Sequence, residues 1–256
     1  MADEVNDGDL GARVLAYWND ERAESMYDKN LLNLEIDSIK TWIETGTRIL
    51  DAGCGEGEGT NAYADVPGVR VDAADFSPTR LRKAAARVGS RANVTLKQID
   101  FLGSYALDGA YDAIVSQRFL INLGNWTRQS KVIIDLAGLL KRGGRLIILE
   151  GSQQGVNSLN EWRSVWNLPP IPTRWHNCFL DDALLRALLC DNGCDLREVS
   201  GFGSYFLLTR GIRPLLSDNL DPESDFNRIA ATPQVRSLLA VGETFSRLKL
   251  WVFEKR

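Results

Sequence analysis

The stretch that most constrains this chain is "ILDAGCGEGEGT", Ile49 to Thr60, where an apolar run ends at Asp51 and gives way to Gly53, Gly55, Gly57 and Gly59. So few side chains at the exit of a strand leave backbone N–H groups bare and let a nucleotide-like ligand approach the main chain. Spacing excludes two such ligands. A dinucleotide turn needs G-x-G-x-x-G, and the two registers fail at Glu58 and at Thr60; a phosphate-binding P-loop needs Gly-Lys-Ser/Thr, which is absent. What stands is Asp-x-Gly-x-Gly-x-Gly, Asp51 to Gly57. Its carboxylate would repel a pyrophosphate but suits a ligand with an ammonium or sulfonium charge.

The flanking sequence places this turn in an α/β chain. Leu32, Ile36, Ile39 and Ile43 recur at the helical period, and Gly46 stops that helix just before the first strand. Short apolar strands then alternate with helical stretches, at 69–75, 94–100, 111–117 and 144–151, which predicts crossover units on a parallel sheet with helices on both faces. The regularity ends at Gly151. A long connection, 152–179, leads into the helix "LDDALLRALLCDNG", followed by a predicted strand "SYFLLTR" at 204–210, a second insertion at 211–243 and a last strand at 247–255. Long connections inside a domain are usually functional. At 256 residues, with 44% hydrophobic content, the chain can bury one core carrying added segments.

Charge and cysteine usage narrow the function. A formal charge of −4 argues against bulk nucleic acid as partner, since phosphate contacts need a clustered positive field. In "RLRKAAARVGSR", Arg80, Lys83, Arg87 and Arg91 can share one helix face, read here as a solvated face. Cys54, Cys178, Cys190 and Cys194 form no CxxC pair, and "MADEVNDGDLGARV" carries no signal peptide, which together point to a cytoplasmic protein. No apolar run approaches the length of a membrane span.

On its first motif, Asp51, Gly53, Gly55 and Gly57, the chain resembles the class I S-adenosylmethionine-dependent methyltransferases, a resemblance that covers Thr47 to Gly151 well and the final strand loosely. It implies a doubly wound, mostly parallel seven-stranded sheet with an antiparallel final strand, in one domain spanning 1–256. That domain divides into an N-terminal helical lid (1–44), a cofactor-binding half (45–151) and a substrate-side half (152–256) with insertions after strands five and six. The implied cofactor is S-adenosyl-L-methionine, leaving S-adenosyl-L-homocysteine as product. Asp75, 24 positions after Asp51, would bind the ribose hydroxyls, Phe76 would lie against the adenine, Asp100 and Phe101 would flank its amino group, and Gln117 would complete the set at the end of the fourth strand.

"SQRFLINL", Ser116 to Leu123, lacks the motifs of base-amine and cytosine methylation that the family carries at this strand end, and lacks the aspartate of its metal-dependent catechol type. This points to metal-free methylation of a small-molecule hydroxyl, on a sugar-containing or natural-product intermediate. A hydroxyl gains from a positioned base, and the single histidine, His176, sits in the first long connection. Glu150 is the alternative base. Each also has a structural reading, as a hydrogen-bonded loop histidine and as a strand-terminal carboxylate that organises a loop. Tyr27, Arg118 and Trp175 are the candidate acceptor contacts, with Arg118 and Arg174 suited to a carboxylate or phosphate. Two rival readings stand beside this one: a non-catalytic cofactor-binding module and an RNA methyltransferase. A monomer or a homodimer is expected.

Overall fold

Small polar residues start the helices and glycines separate them from the strands. A computed structural model describes residues 7–23, 26–239 and 241–256. Helices α1 (Asp7–Asn19) and α2 (Lys29–Lys40) precede β1 (Arg48–Ala52), α3 (Glu58–Tyr63), β2 (Arg70–Asp75), α4 (Pro78–Val88), β3 (Val94–Gln98) and β4 (Tyr111–Gln117). Then come α5 (Trp126–Leu139), β5 (Leu140–Gly151), α6 (Gln153–Val165), α7 (Asp182–Asp191), β6 (Cys194–Gly201) and β7 (Leu248–Lys255). The Asp28, Ser77, Asn125, Ser152 and Asp181 side chains each accept a backbone N–H in the first turn of the helix that follows, filling donors a helix start would leave bare.

The seven strands run in the order β3-β2-β1-β4-β5-β7-β6. All pairings are parallel except those of β7, which is antiparallel to both β5 and β6. This is the expected seven-stranded sheet with an antiparallel final strand. The chain order reverses between β1 and β4, and a ligand crevice opens there beyond the carboxyl ends of the strands. Consecutive strand residues serve opposite faces: Ile49, Val115 and Ile147 pack with Ile39 of α2, whereas Leu50, Ile114 and Ile148 pack with Val132 and Leu136 of α5.

The sixth strand departs from the expectation. Residues 204–210 are helical, Gly203–Phe206 continuing into a π-helical turn at Leu207–Ile212, and β6 is formed by "CDLREVSG" instead. Tyr205 and Thr209 are both buried, and the Thr209 hydroxyl donates to the Tyr205 carbonyl at 2.7 Å. Burial therefore repeats at helical spacing through a segment whose apolar run reads as a strand. β6 escapes notice because it lies at the sheet edge, where its side chains are mostly half-buried and the alternation is faint. The second insertion accordingly spans the whole interval between β6 and β7.

Close backbone packing against the segment that leads into β7 depends on Gly155 in α6, where an added Cβ would fall 1.8 Å from the Ser246 carbonyl oxygen. Gly155→Ala should therefore destabilise the fold by about 1–3 kcal/mol or more, read as a lower denaturant midpoint, because the obstacle is main chain and cannot swing aside.

Candidate active site

The glycine turn is tied to β2 by its own backbone. The Gly53 and Cys54 N–H groups donate to the Ala74 carbonyl at 2.8 and 2.9 Å. The Asp75 carboxylate then bridges two segments, accepting from Gly55 N at 2.9 Å and from Ser77 N at 2.9 Å. Burial pushes its pKa up, and these N–H donors pull it back. Asp51 is buried, takes the Thr60 hydroxyl at 2.5 Å, and is pushed up to about 6 by burial, with the nearby Asp75 charge adding to the rise.

Two glycines of the motif do different work. Gly55 has φ +55°, and a Cβ built there meets nothing within 4 Å, so the main chain faces open cavity where a ligand can lie against it. Gly57 has φ +79° and its Cβ would sit 3.0 Å from Ala84, so it lets α3 pack on α4. It lies outside the cavity lining, unlike the expectation that grouped it with the ligand-binding residues.

That cavity, of about 320 Å³, sits beyond the carboxyl ends of β1, β2 and β4. Asp51, Gly53, Gly55, Asp75, Phe76, Asp100, Phe101 and Gln117 all line it. Leu10, Val14 and Trp18 of α1 form its roof, the role expected of the N-terminal segment, of which residues 1–6, 24 and 25 lie outside the described residues. Three carboxylates, open backbone at Gly55 and an apolar roof suit a ligand with a cationic end, hydroxyls that donate and a flat apolar ring.

On the basic face of α4, Arg80 is buried while Lys83 and Arg87 stay partly exposed. Arg80 is only 2% exposed; its guanidinium donates to the carbonyls of Trp18, Asp20 and Ala23 at 2.9, 3.2 and 2.7 Å and pairs with Glu56. Lys83 pairs with Glu56, Arg87 with Glu58 and Arg91 with Asp65. Arg80, Lys83 and Arg87 are thereby tied to the glycine turn, and Arg91, beyond the end of α4, to Asp65 after α3.

At the end of β4, Arg118 adopts φ +55°, a strained conformation for a residue with a Cβ. Its guanidinium forks onto Glu35, which is fully buried on α2, and Gln117 Nε2 donates to the same carboxylate at 2.9 Å. Glu35 was not among the expected site residues. Its signal was available: it stands four residues before Ile39 on the buried stripe of α2, where a charge needs a partner.

A second cavity of about 200 Å³ adjoins the first, with Trp18, Met26, Arg118 and Asn122 in both walls. Tyr27, Arg174 and His176 line it. His176 is 4% exposed, packs against the rings of Tyr17, Trp18 and Trp175, and its Nδ1 has no hydrogen-bond partner among the described residues. Burial, reinforced by the Arg174 charge, pushes its pKa down to about 4, so the imidazole is neutral near pH 7. Trp175 is half-exposed and lines neither cavity; it covers His176 edge-on and lies under Arg13.

Glu150 lies away from both cavities. It is fully buried and lines neither cavity, and its oxygens accept from the Ser116 hydroxyl at 2.7 Å and the backbone N–H groups of Phe119, Leu120 and Ile121 at 2.8, 2.8 and 3.3 Å. Burial pushes its pKa up to about 7 against the pull of these donors. This carboxylate builds the turn after β4, as the structural reading of a strand-terminal carboxylate allows. Among the described residues no three His, Cys, Asp or Glu side chains converge as metal ligands, and no helix is long and apolar enough to cross a membrane.

Comparison with known proteins agrees with this geometry. Residues 49–144 match the family model described as a methyltransferase domain. The chain is 25% identical over 209 residues to the O-methyltransferase rstn1 of Aspergillus nomiae, covering 75% of this chain and 87% of that protein. It is 24% identical over 197 residues to a ubiquinone/menaquinone biosynthesis C-methyltransferase of Pseudomonas aeruginosa, covering 67% and 75% respectively. The fold is also that of the magnesium protoporphyrin IX methyltransferase of Synechocystis PCC 6803, solved with bound S-adenosylhomocysteine: TM-score 0.61, 18% identity, 97% of this chain and 100% of the other. Fold and glycine turn together define a Rossmann-like methyltransferase. Residues 49–144 thus carry a methyltransferase domain, on a fold shared with class I S-adenosylmethionine-dependent methyltransferases.

The neutral, unpartnered His176 makes stability depend on pH. Its pKa is near 6.5 when unfolded and about 4 when folded, so the unfolded state binds the extra proton between these values. Relative to His176→Gln, the native chain should keep its full stability above pH 6.5. It should lose about 2–3 kcal/mol as the pH falls toward 4, measured by denaturant titrations at several pH values.

Proposed function

We propose that this methyltransferase alkylates a hydroxyl of a small metabolite without a metal ion, using His176 as the base. The observation that carries the reading is the second cavity, which shares four wall residues with the first and has His176 in its lining, the buried Nδ1 without a hydrogen-bond partner among the described residues. Asp75 holds the ribose hydroxyls of the cofactor, with Phe76 against the adenine and Asp100 and Phe101 at its amino edge. Asp51, Gly53, Gly55 and Gln117 serve the opposite end. The cofactor supplies a methyl group on a positively charged sulfur, open to displacement from the side opposite that sulfur.

The chain's own residues have two tasks in such a displacement. They hold acceptor and methyl donor in line, which alone supplies much of the acceleration, and they take up the acceptor's proton. The shared wall of Trp18, Met26, Arg118 and Asn122 supports the first task, since it sets the path between the cavities. His176 serves the second. A base whose pKa is near 4 drives proton transfer best from an acidic hydroxyl, which favours a phenolic or enolic acceptor over an aliphatic alcohol.

A second reading is C-methylation of a hydroxylated ring. The relatives include C-methyltransferases, and loss of the hydroxyl proton would equally activate a ring carbon. The position of the transferred methyl group by NMR distinguishes the two.

Two outcomes test the assignment. Asp75→Ala should weaken S-adenosylmethionine binding about tenfold or more by calorimetry, because charge-assisted hydrogen bonds contribute about 1.5–3 kcal/mol each. His176→Ala should lower the turnover rate by about 10²–10⁴ while cofactor affinity stays within twofold. In the native enzyme the acidic limb of the rate should fall near pH 4 rather than near 6.5, since the imidazole stays neutral down to that point. Unchanged turnover by His176→Ala would remove the base role and leave alignment to carry the reaction.

A further inference from the structure

The second cavity holds more positive charge than its own side chains neutralise. Four arginines line it, Arg118, Arg174, Arg210 and Arg247. Two have carboxylate partners: Arg118 forks onto Glu35, and Arg210 pairs with Asp28 at 2.8 Å. The other two have none within 4.0 Å among the described residues. Arg174 touches the Tyr17 hydroxyl at 3.3 Å and lies 5.1 Å over the Tyr27 ring, and Arg247 lies 5.2 Å over the Phe179 ring. Four guanidinium groups less two carboxylates leave two positive charges facing one small space.

These two are held in a manner that suits binding. A guanidinium stacked on a ring is fixed in its plane while its N–H edge stays free to fork onto an anion. The shelf under Arg247 is itself built in: a Cβ on Gly151 would meet Phe179 Cδ1 at 2.4 Å, so that glycine clears the space for the ring. Burial, with the neighbouring charges of Arg118, Arg210 and Arg174, pushes the Arg247 pKa down to about 10.

Two residues of the same lining, Asn122 and His176, each carry a buried polar atom, Oδ1 and Nδ1, without a hydrogen-bond partner among the described residues. The orientation of Asn122 is set by its Nδ2, which donates to the Arg118 carbonyl at 2.8 Å. Asn122 lines the first cavity as well, whereas His176 lines the second alone.

We propose that the methyl acceptor is an anionic hydroxy compound whose carboxylate or phosphate sits between Arg174 and Arg247 while its hydroxyl points to Asn122 and His176. This deepens the function proposed above and rests on it for the identity of the cavity as the acceptor site. It adds the chemical class: a small molecule with a negative group at one end and a proton-donating hydroxyl at the other. A neutral acceptor would leave both guanidiniums without a counter-charge.

The test uses the full chain saturated with S-adenosylhomocysteine, titrated by calorimetry with inorganic phosphate, with malonate, and with malonamide as the neutral control. At least one anion should bind and malonamide should not; the tighter anion tells whether a phosphate or a carboxylate is recognised. Arg174→Gln and Arg247→Gln should each weaken that anion about tenfold or more, with cofactor affinity within twofold as the check on folding. Arg247→Lys, which keeps the charge and loses the fork, should weaken it less and serves if the glutamine variant does not fold. Absence of anion binding to the native protein, or glutamine variants that bind like it, would overturn the proposal. His176→Ala separates the two ideas. Anion binding kept alongside undiminished turnover leaves the anion site standing and removes the base, whereas His176-dependent turnover with no anion binding removes the anion site alone.

Discussion

A buried carboxylate, Glu150, fixes the wall on which the rest of the site is assembled. It stands near the end of β5, beside the central strand β4, and gathers three consecutive backbone N–H groups, Phe119, Leu120 and Ile121, together with the Ser116 hydroxyl. Those donors would otherwise be bare where the chain leaves β4, and a buried carboxylate with four donors satisfies both sides at once. The turn it holds carries Arg118 before it and Asn122 after it, two of the four side chains shared by the cavities. The same turn fixes the segment bearing His176. Cys178 N donates to the Ile121 carbonyl at 2.7 Å, and Gln129 Nε2 bridges the Leu120 and Cys178 carbonyls. One carboxylate thus sets the distance between the first cavity and His176.

The roof over the cofactor cavity is held by a different principle, a single buried cation. Arg80 gathers three carbonyls from the segment after α1, stacks on Trp18 and pairs with Glu56 of the glycine turn. Carbonyls at and beyond the end of a helix want a donor, and a guanidinium with five N–H groups can serve several of them. The roof and the turn are consequently joined through one side chain. A motion that lifts α1 must break contacts to a buried charge, which couples opening of the cavity to the geometry of the loop beneath it.

Much of this was legible in the sequence. Asp51, the glycines and Asp75 announce a strand-turn-helix ligand site because each residue type is demanded by local backbone chemistry within a short span. The middle strands announce themselves by runs that are apolar on both faces, since helices cover both sides of the sheet. Where long-range packing decides, the signal fades. The apolar segment at 204–210 reads as a strand but winds into a helix, because the sheet already has its edge in the more polar β6. Gly57 fits the ligand motif and serves helix packing instead. Arg247 carries no local pattern at all: it matters only because β7 returns it to a cavity whose other arginines stand at 118, 174 and 210. Glu35 lies between these cases, a charge on a buried helical stripe that demands a partner without naming it.

The site's electrostatics set its chemistry more than any one residue does. His176 is a weak base because it is dry and lies near Arg174. An imidazole in water would accept a proton more readily, but it would also be partly protonated at neutral pH and exposed to solvent. Burial exchanges proton affinity for certainty of state: the ring is neutral near pH 7. The cations that depress its basicity also stabilise negative charge developing on an acceptor oxygen, lowering the hydroxyl's own pKa in the same field. Base and acceptor therefore move together, and the difference between their pKa values, which governs proton transfer, changes less than either value alone. An arginine-rich acceptor cavity with a dry histidine is in this sense self-consistent, because the field that weakens the base makes the hydroxyl easier to deprotonate.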